Sequence, residues 1–487
     1  MKHRPLPDLV PSRWLKHVAA ALVAVSFMLH AATGMAAVEV HSFMLKNGMQ
    51  VVVLPDHRAP IVTHMVWYKV GGADDPRGES GIAHFLEHLM FKRTKNLPEG
   101  EFSRIVANNG GQQNAFTNYD YTAYFQNVAA DRLELMMKLE SDRMANLDLN
   151  PKDIASERDV IIQERRMRID NSPAALLDEQ VEALQFLAHP YGTPLIGWLD
   201  EMRHLSYEDA LGFYKKYYNP MNAVLIVAGD VTEDQVKALA EKYYEVIPSH
   251  PLPERVRRAE PKPIAARRVE FDDPRVMQPS FERTYLAPSY HRGETKLSVP
   301  LDVLAEILGG GSTSRLYQRL VVEKNLAVGA SASYSGSSYD LSSFSINVTP
   351  ESGRDPVKAR RATAEVEAAV DGVIQDLLTN GIRPDELERA KNKLIAAAIY
   401  ARDNSFTMAQ IFGQALTTGQ TVQDVLDWPD KVAAVTADDV MAAAKYVLRP
   451  ENSVTGLLMP KATPAGAPLS AMPAPSPTHA GPNAEMH

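Results

Sequence analysis

The sequence contains no cysteine among its 487 residues. It therefore cannot form a disulfide framework, carry a lipid on a cysteine, or bind zinc through thiolates. After residue 37 it also lacks an apolar run of about 20 residues, which a membrane-spanning helix requires. Basic runs are missing too and the net charge is −9, so nucleic-acid binding is not indicated. The composition, 45% hydrophobic and 23% charged, is that of a globular protein with room for two or more domains.

Residues 1–37 have the pattern of a secretory signal peptide. Basic residues precede an apolar stretch and two small residues: Lys2, Arg4, Arg13 and Lys16, then 18–35, then Ala36 and Ala37. Removal of this leader, whose net charge is +3, would take the chain from −9 to −12. We therefore expect a periplasmic or secreted protein, with an uncleaved N-terminal anchor as the alternative.

An apolar helix predicted at residues 81–91 carries His84, Glu87 and His88. On an α-helix, residues four apart share a face, so both imidazoles could hold one ion, for which zinc is the natural candidate. Glu87 could then act as a general base towards a water on the metal. This is the H-x-x-E-H order. The alternative is two core histidines and a helix-face carboxylate, but an unpaired Glu87 among apolar neighbours would be costly.

A third ligand is needed, and the best candidates lie on the helix predicted from residue 151 to 168. Glu157 and Glu164 are seven residues apart there, which is two turns, so they share one face. The rest of this helix is charged. Taken alone, the two residues would be interpreted as surface glutamates.

Residues 81–91 together with 157–164 (ERDVIIQE) resemble the inverzincin metallopeptidases, the pitrilysin and insulinase family. The likeness is greatest to the branch that contains mitochondrial processing peptidase and bacterial relatives of similar length. The resemblance implies one Zn²⁺ per chain with His84, His88 and Glu164 as ligands. It also implies Glu87 as general base and Glu157 as a carboxylate that orients a ligand or the water.

The same resemblance implies a substrate-binding strand. In the family, the strand that matches Asn114, Ala115 and Phe116 borders the cleft and pairs with the peptide backbone, a mode that makes little demand on sequence. The alternative is a buried strand that binds nothing.

An internal repeat predicts two homologous halves. Ser206 and Pro220, each at the start of a similar segment, recur as Thr436 and Pro450 with an offset of 230. The counterpart of the metal helix, residues 301–308, has no histidine. We expect an α+β fold of two α/β-roll halves, each an antiparallel-rich sheet packed with helices. The predicted bounds are 38–245 (zinc-binding), 246–266 (Pro-rich linker), 267–460 (metal-free) and 461–487 (disordered Pro/Ala-rich tail).

The chain departs from the family pattern at two positions. Active single-chain relatives carry an arginine and a tyrosine in the second half that hold substrate and stabilise the oxyanion. The matching positions here are Val321 and Val328. A homologous metal-free subunit could supply the missing groups in a heterodimer. Alternatively, Arg315, Tyr317 or Arg319 takes over, in this chain or in a homodimer.

The sequence thus predicts an exported zinc-dependent endopeptidase that cleaves flexible peptides or unfolded segments. The alternative is a metal-binding but non-proteolytic subunit for peptide binding or assembly in a heterodimer. A closed structural zinc site is a weaker option, because it needs a fourth protein ligand that the sequence does not offer.

Overall fold

The computed structural model describes residues 39–252 and 254–462. The predicted leader and nearly all of the predicted tail lie outside these residues. Within the described part of the chain, helices of the length and apolarity needed to cross a bilayer are absent.

The first half is a six-stranded sheet with helices packed on it. Its strand order is β1-β2-β6-β3-β5-β4, and only the β2–β6 pair is parallel. Its strands are β1 His41–Met44, β2 Gln50–Pro55, β3 Ile61–Tyr68, β4 Gln112–Thr117, β5 Thr122–Ala129 and β6 Ala223–Gly229. Its helices are α1 Ile82–Leu89, α2 Glu101–Asn108, α3 Leu133–Asn146, α4 Pro151–Arg165, α5 Pro173–Gln185, α6 Leu199–Met202, α7 Tyr207–Tyr217 and α8 Glu233–Tyr243.

The second half contains a five-stranded sheet in the order β7-β11-β8-β10-β9, with one parallel pair, β7–β11. Its strands are β7 Arg267–Asp273, β8 Ser280–Ala287, β9 Ala327–Tyr334, β10 Ser342–Pro350 and β11 Ser453–Pro460. Its helices are α9 Ser298–Gly309, α10 Arg315–Tyr317, α11 Pro356–Asn380, α12 Pro384–Ala401, α13 Ser405–Thr417, α14 Val422–Ala434 and α15 Ala437–Val447.

The two sheets have the same topology once β1 is set aside. The order β2-β6-β3-β5-β4 in the first half matches β7-β11-β8-β10-β9 in the second, with the parallel pair in the same place. The repeated segments also match, because Ser206 and Thr436 each cap a helix through a capping box. The predicted α+β fold of two homologous halves is confirmed.

Each half packs one helix on the sheet of the other half. Helix α13 of the second half packs on β6, β3 and β2, and helix α5 of the first half packs on β11, β7 and β8. The packing is close because glycines face large side chains: Gly413 lies against the indole of Trp67 and Gly456 against Val181. This explains why β6 is buried along its whole length and reads as an uninterrupted apolar run.

The linker, residues 246–266, contains no helix or strand in its described part. It is nevertheless tied to both halves through Arg257, whose side chain is only 4% exposed. This guanidinium pairs with Asp74 at 3.1 Å and with Asp120 in the first half, and with Asp340 at 3.3 Å in the second. His189 lies 3.1 Å from the same Asp340. A stretch rich in proline and basic residues therefore holds the two halves together.

Helix α1 begins later than its sequence suggests. The turn-forming loop at residues 71–78 predicts a helix start near Glu79 or Ser80, just before the apolar stretch 81–91, but the first helical residue is Ile82. The reason is Gly81, whose φ of +87° is left-handed and stops the helix from extending backwards. The carboxylate of Asp75 replaces the missing turn, since it accepts hydrogen bonds from the amides of Gly81 (2.7 Å) and Ala83 (3.1 Å).

Candidate metal centre

Helix α1 presents the side chains of His84 and His88 on one face, with ring centroids 4.7 Å apart. Its other face is packed into the core of the first half through buried apolar residues: Ile82, Phe85, Leu86 and Leu89. Burial and the neighbouring His88 lower the pKa of His84 to about 4, so this imidazole is neutral at physiological pH. A neutral imidazole is the form that binds a metal ion.

Helix α4 brings Glu164 to the two histidines. Its Oε2 atom lies 3.3 Å from Nε2 of His88 and 3.7 Å from Nε2 of His84. Each residue of this trio offers a ligand atom within 4.8 Å of the others, and no further such group occurs in the described part of the chain. The second glutamate of α4, Glu157, faces the same side of the helix, as the seven-residue spacing predicts.

The three atoms fit a zinc ion. Tetrahedral zinc with bonds of about 2.0–2.1 Å separates its ligand atoms by roughly 3.3–3.4 Å, close to the observed spacings. Moreover, Glu164 Oε2 is buried and has no hydrogen-bond partner. A buried carboxylate oxygen without a partner is costly, and a cation at this point would remove that cost.

Glu157 fixes the orientation of His88. Nδ1 of His88 donates to Oε1 of Glu157 over 2.9 Å, which leaves Nε2 free to face Glu164. The other oxygen of Glu157 pairs with the ammonium group of Lys92 at 2.7 Å. Lys92 follows α1 and was not singled out by sequence analysis, because a lysine after an apolar helix is usually solvated.

Glu87 is almost buried, at 9% exposure, beside the metal ligands. Burial raises the pKa of its carboxyl group to about 7, although a hydrogen bond from Thr117 opposes the rise. The hydroxyl of Thr117 donates to Oε2 of Glu87 over 2.5 Å. A carboxyl group with a pKa near neutrality can both accept and return a proton at physiological pH.

Strand β4 forms one wall of an open cleft of about 1,070 Å³ above these residues. It lies at the edge of its sheet and pairs only with β5 among the described strands, so the backbone groups on its outer side have no strand partner there. Asn114, Ala115 and Phe116 all line the cleft with His84, Glu87, His88 and Glu164. Their predicted role in substrate binding stays a prediction.

The second half has different side chains at the position that corresponds to the candidate metal site. Helix α9 packs on α12 as α1 packs on α4, but it carries Glu306, which pairs with Lys393 of α12 at 2.7 Å. In the described residues of this half, side chains that could form a metal-binding group of three are absent. The ion pair between Glu306 and Lys393 therefore occupies the place that the candidate metal ligands occupy in the first half.

The three candidate replacement donors do not line the cleft, all of whose lining residues lie between His84 and Ile196. Arg315 is bound to Glu386 and to the carbonyl of Gly381 instead. Arg319 pairs with Glu323 at 2.6 Å.

Comparison with known proteins places the chain among peptidases. Residues 50–198 match the profile described as Insulinase (Peptidase family M16), and residues 204–394 match the one described as Peptidase M16 inactive domain. The chain is 32% identical to "Zinc protease PqqE" of Helicobacter pylori over 86% of its own length and 92% of that protein's. It is 25% identical to the "Probable mitochondrial-processing peptidase subunit beta" of Schizosaccharomyces pombe, over 83% of its length and 88% of that protein's. A crystal structure of a Helicobacter pylori protease superimposes with a TM-score of 0.80 at 31% identity, covering 87% of this chain and all of that one.

Proposed function

The chain belongs to the insulinase (peptidase M16) family, and from this premise we propose that it is an exported zinc-dependent endopeptidase acting on flexible peptides. One observation carries the proposal. The buried, unpartnered Oε2 of Glu164 lies within 3.7 Å of the Nε2 atoms of His84 and His88, and the nearly buried Glu87 stands beside them at an open cleft.

One zinc ion per chain would be held by Nε2 of His84, Nε2 of His88 and Oε2 of Glu164. Bound there, zinc supplies a Lewis acid that polarises the scissile carbonyl and makes a coordinated water acidic near neutral pH. Glu157 supports the site through its hydrogen bond with His88, which fixes the tautomer that this ligation needs. The open cleft agrees with a catalytic rather than a closed structural site.

Glu87 moves the proton in this proposal. Its carboxylate takes a proton from the attacking water as the oxygen adds to the scissile carbonyl carbon. It then gives that proton to the amine nitrogen as the C–N bond breaks. A pKa of about 7 suits both steps, because the group is near balance between its two forms at neutral pH.

Substrate recognition would use the free edge of β4. An extended peptide adding to this edge would receive backbone hydrogen bonds from the segment Asn114 to Phe116. A chain without folded structure supplies such a strand most readily, so we expect flexible peptides or unfolded segments as substrates. Export is supported by the leader pattern of residues 1–37 alone.

A second candidate function is a metal-binding, non-proteolytic subunit for peptide binding or assembly. It is favoured by Val321 and Val328, which lack the hydrogen-bond donors that relatives have at these positions, and by the ion pairs that occupy Arg315. In that case activity would need a homologous metal-free partner, in a heterodimer, to supply an arginine and a tyrosine. A homodimer is the other arrangement.

The variant Glu87→Gln tests the proposed function. We expect the purified variant to keep one zinc per chain by elemental analysis, while cleavage of unstructured peptides falls on the order of 10²-fold or more. Glu208→Gln is the matched control, because this glutamate is exposed on α7 and does not line the cleft. Cleavage by Glu87→Gln at the wild-type rate would refute the assigned role.

A further inference from the structure

We infer that Arg168 binds the scissile carbonyl oxygen and stabilises the negative charge that develops on it. The inference rests on the proposed peptidase function and adds a further catalytic residue to it. It addresses the gap left by Val321 and Val328, since it finds a cationic donor within the first half of the same chain.

Arg168 stands at the cleft on a turn with unusual geometry. Helix α4 ends at Arg165 and continues as a π-helical turn, Arg166–Asp170. Such turns are rare and are common at functional sites. This one carries Met167, Arg168 and Ile169 into the lining of the cleft.

The guanidinium of Arg168 is held next to the candidate metal site but has donors to spare. Its Nη1 pairs with Oε1 of Glu164 at 2.9 Å, the oxygen that does not face the histidines. Its side chain is 73% exposed to the cleft and solvent. Because a guanidinium has five N–H donors in a fixed plane, most of them remain available to a ligand.

Arg168 and β4 line the same cleft, and this matters for a bound peptide. In an added antiparallel strand, successive backbone carbonyls point alternately towards the edge strand and away from it. Carbonyls that face away from β4 receive nothing from its amides. Arg168 lies on the turn that follows the helix of Glu164 and lines the same cleft as β4, so its guanidinium can donate to a carbonyl that faces away from β4 at the metal site.

Competing donors are scarce in the cleft. Arg168 is the only lysine or arginine among the described residues that line it. Tyr119 also lines it, but its hydroxyl donates to Oε2 of Glu182 over 3.0 Å. The acidic lining residues, by contrast, are several: Glu87, Asp159, Glu164, Asp178, Glu179 and Glu182.

The chemical role follows from charge. As water adds to the carbonyl carbon, the electron pair of the C=O bond moves onto oxygen, and the N–H groups of Arg168 face that charge. When the C–N bond breaks, the pair returns and the charge disappears. A donor that binds this oxygen better as its charge grows lowers the barrier, and losing one such donor typically costs about 10²–10³-fold in kcat.

The test compares Arg168→Met and Arg168→Lys with Arg166→Met. Arg166 is an exposed arginine on the same π-helical turn that does not line the cleft, so its variant should behave as wild type. For Arg168→Met we expect kcat to fall on the order of 10²-fold, with KM within about threefold and one zinc per chain retained. Arg168→Lys should recover part of the loss, because it restores a cation without the planar donors.

A second readout does not depend on turnover. A phosphinic peptide, which carries a tetrahedral anionic centre, should bind Arg168→Met on the order of 10²-fold more weakly than wild type. The corresponding substrate peptide should bind Glu87→Gln and Glu87→Gln/Arg168→Met about equally.

The outcomes separate this inference from the proposed function. A zinc-loaded wild-type chain that neither cleaves peptides nor binds the phosphinic peptide would refute both. Active wild type with unchanged kcat in Arg168→Met would refute only the inference. A loss of activity in Arg168→Met that excess zinc restores would also refute the inference, since Arg168 would then act only by holding Glu164.

Discussion

The hydroxyl of Thr117 donates a 2.5 Å hydrogen bond to Oε2 of Glu87, and so links edge strand β4 to helix α1. Thr117 is the last residue of β4, the strand that we propose pairs with substrate. The bond therefore sets the position of the proposed base relative to the strand along which a peptide would lie.

Thr117→Val should lower kcat by about tenfold, because the carboxyl group of Glu87 loses the partner that orients it. The hydrogen bond lowers the pKa of Glu87, so its loss should raise that pKa and move the acidic limb of the pH–rate profile upward. Thr117→Ser, which keeps the hydroxyl, is the matched control. A pH profile of Thr117→Val that overlays wild type would contradict this role.

Lys92 should contribute to zinc affinity although it cannot touch the metal. It pairs with Glu157, which in turn accepts from His88. Lys92→Met should weaken zinc binding by about tenfold, the lower end of the range for partners that orient ligands. Competition with a chromogenic chelator measures this affinity.

Two further variants make the Lys92 result specific. Lys92→Arg should bind zinc nearly as well as wild type, because it keeps a cation beside Glu157. Lys95→Met removes an exposed lysine three residues further on and should have no effect. Equal zinc affinity in Lys92→Met and Lys95→Met would show that the pair with Glu157 is unimportant.

Helix α13, which packs on the sheet of the first half, should be essential for stability. A Cβ atom at Gly413 would lie 2.0 Å from the ring of Trp67, which is only 1% exposed and cannot move into solvent. Gly413→Ala should therefore lower the free energy of unfolding by about 1–3 kcal/mol. Gly212→Ala on helix α7 has open space and should stabilise by up to about 1 kcal/mol. Chemical denaturation that gives both variants the same stability would argue against tight packing at Gly413.

The sequence was most informative where chemistry depends on local periodicity. The spacing of His84, Glu87 and His88 fixes their arrangement on one helix, and the seven residues between Glu157 and Glu164 put both on one face of another. The structure brings the histidines and Glu164 together. The recurrence of Ser206 and Pro220 as Thr436 and Pro450 likewise predicts the two halves.

Contacts between distant segments were not predictable in the same way. Thr117 and Lys92 gain their partners, Glu87 and Glu157, only when β4, α1 and α4 are packed, and both look ordinary in sequence. Arg168 pairs with Glu164 four residues earlier, but its place in the lining of the cleft depends on the same packing. The linker was expected to be a simple connector, because its prolines and basic residues suggest a solvated chain, yet Arg257 is buried among carboxylates of both halves. An amphipathic pattern also cannot tell which sheet a helix will cover.

Glu282 should make stability depend on pH. It lies on β8 near Asp178 and Glu182 of α5, and burial together with these like charges raises its pKa to about 7. In the unfolded chain its pKa is about 4.3, so the folded state binds more protons between pH 4.3 and 7 and loses stability as pH rises through this window.

The substitution Glu282→Gln should remove this loss of stability at higher pH. We expect its melting temperature to exceed that of wild type by a few degrees at pH 8, where Glu282 is charged, and to match it near pH 4, where Glu282 is protonated. Thermal unfolding at the two pH values measures the difference. A difference of equal size at both would mean that the charge of Glu282 does not matter.

The most direct test of the whole account is cleavage of unstructured peptides by the purified chain alone, before and after removal of zinc by a chelator. The account predicts internal peptide-bond cleavage that stops when zinc is removed and returns when about one equivalent per chain is added back. Cleavage that continues in the metal-free chain, or a chain that binds zinc at His84, His88 and Glu164 but hydrolyses no peptide, would contradict it.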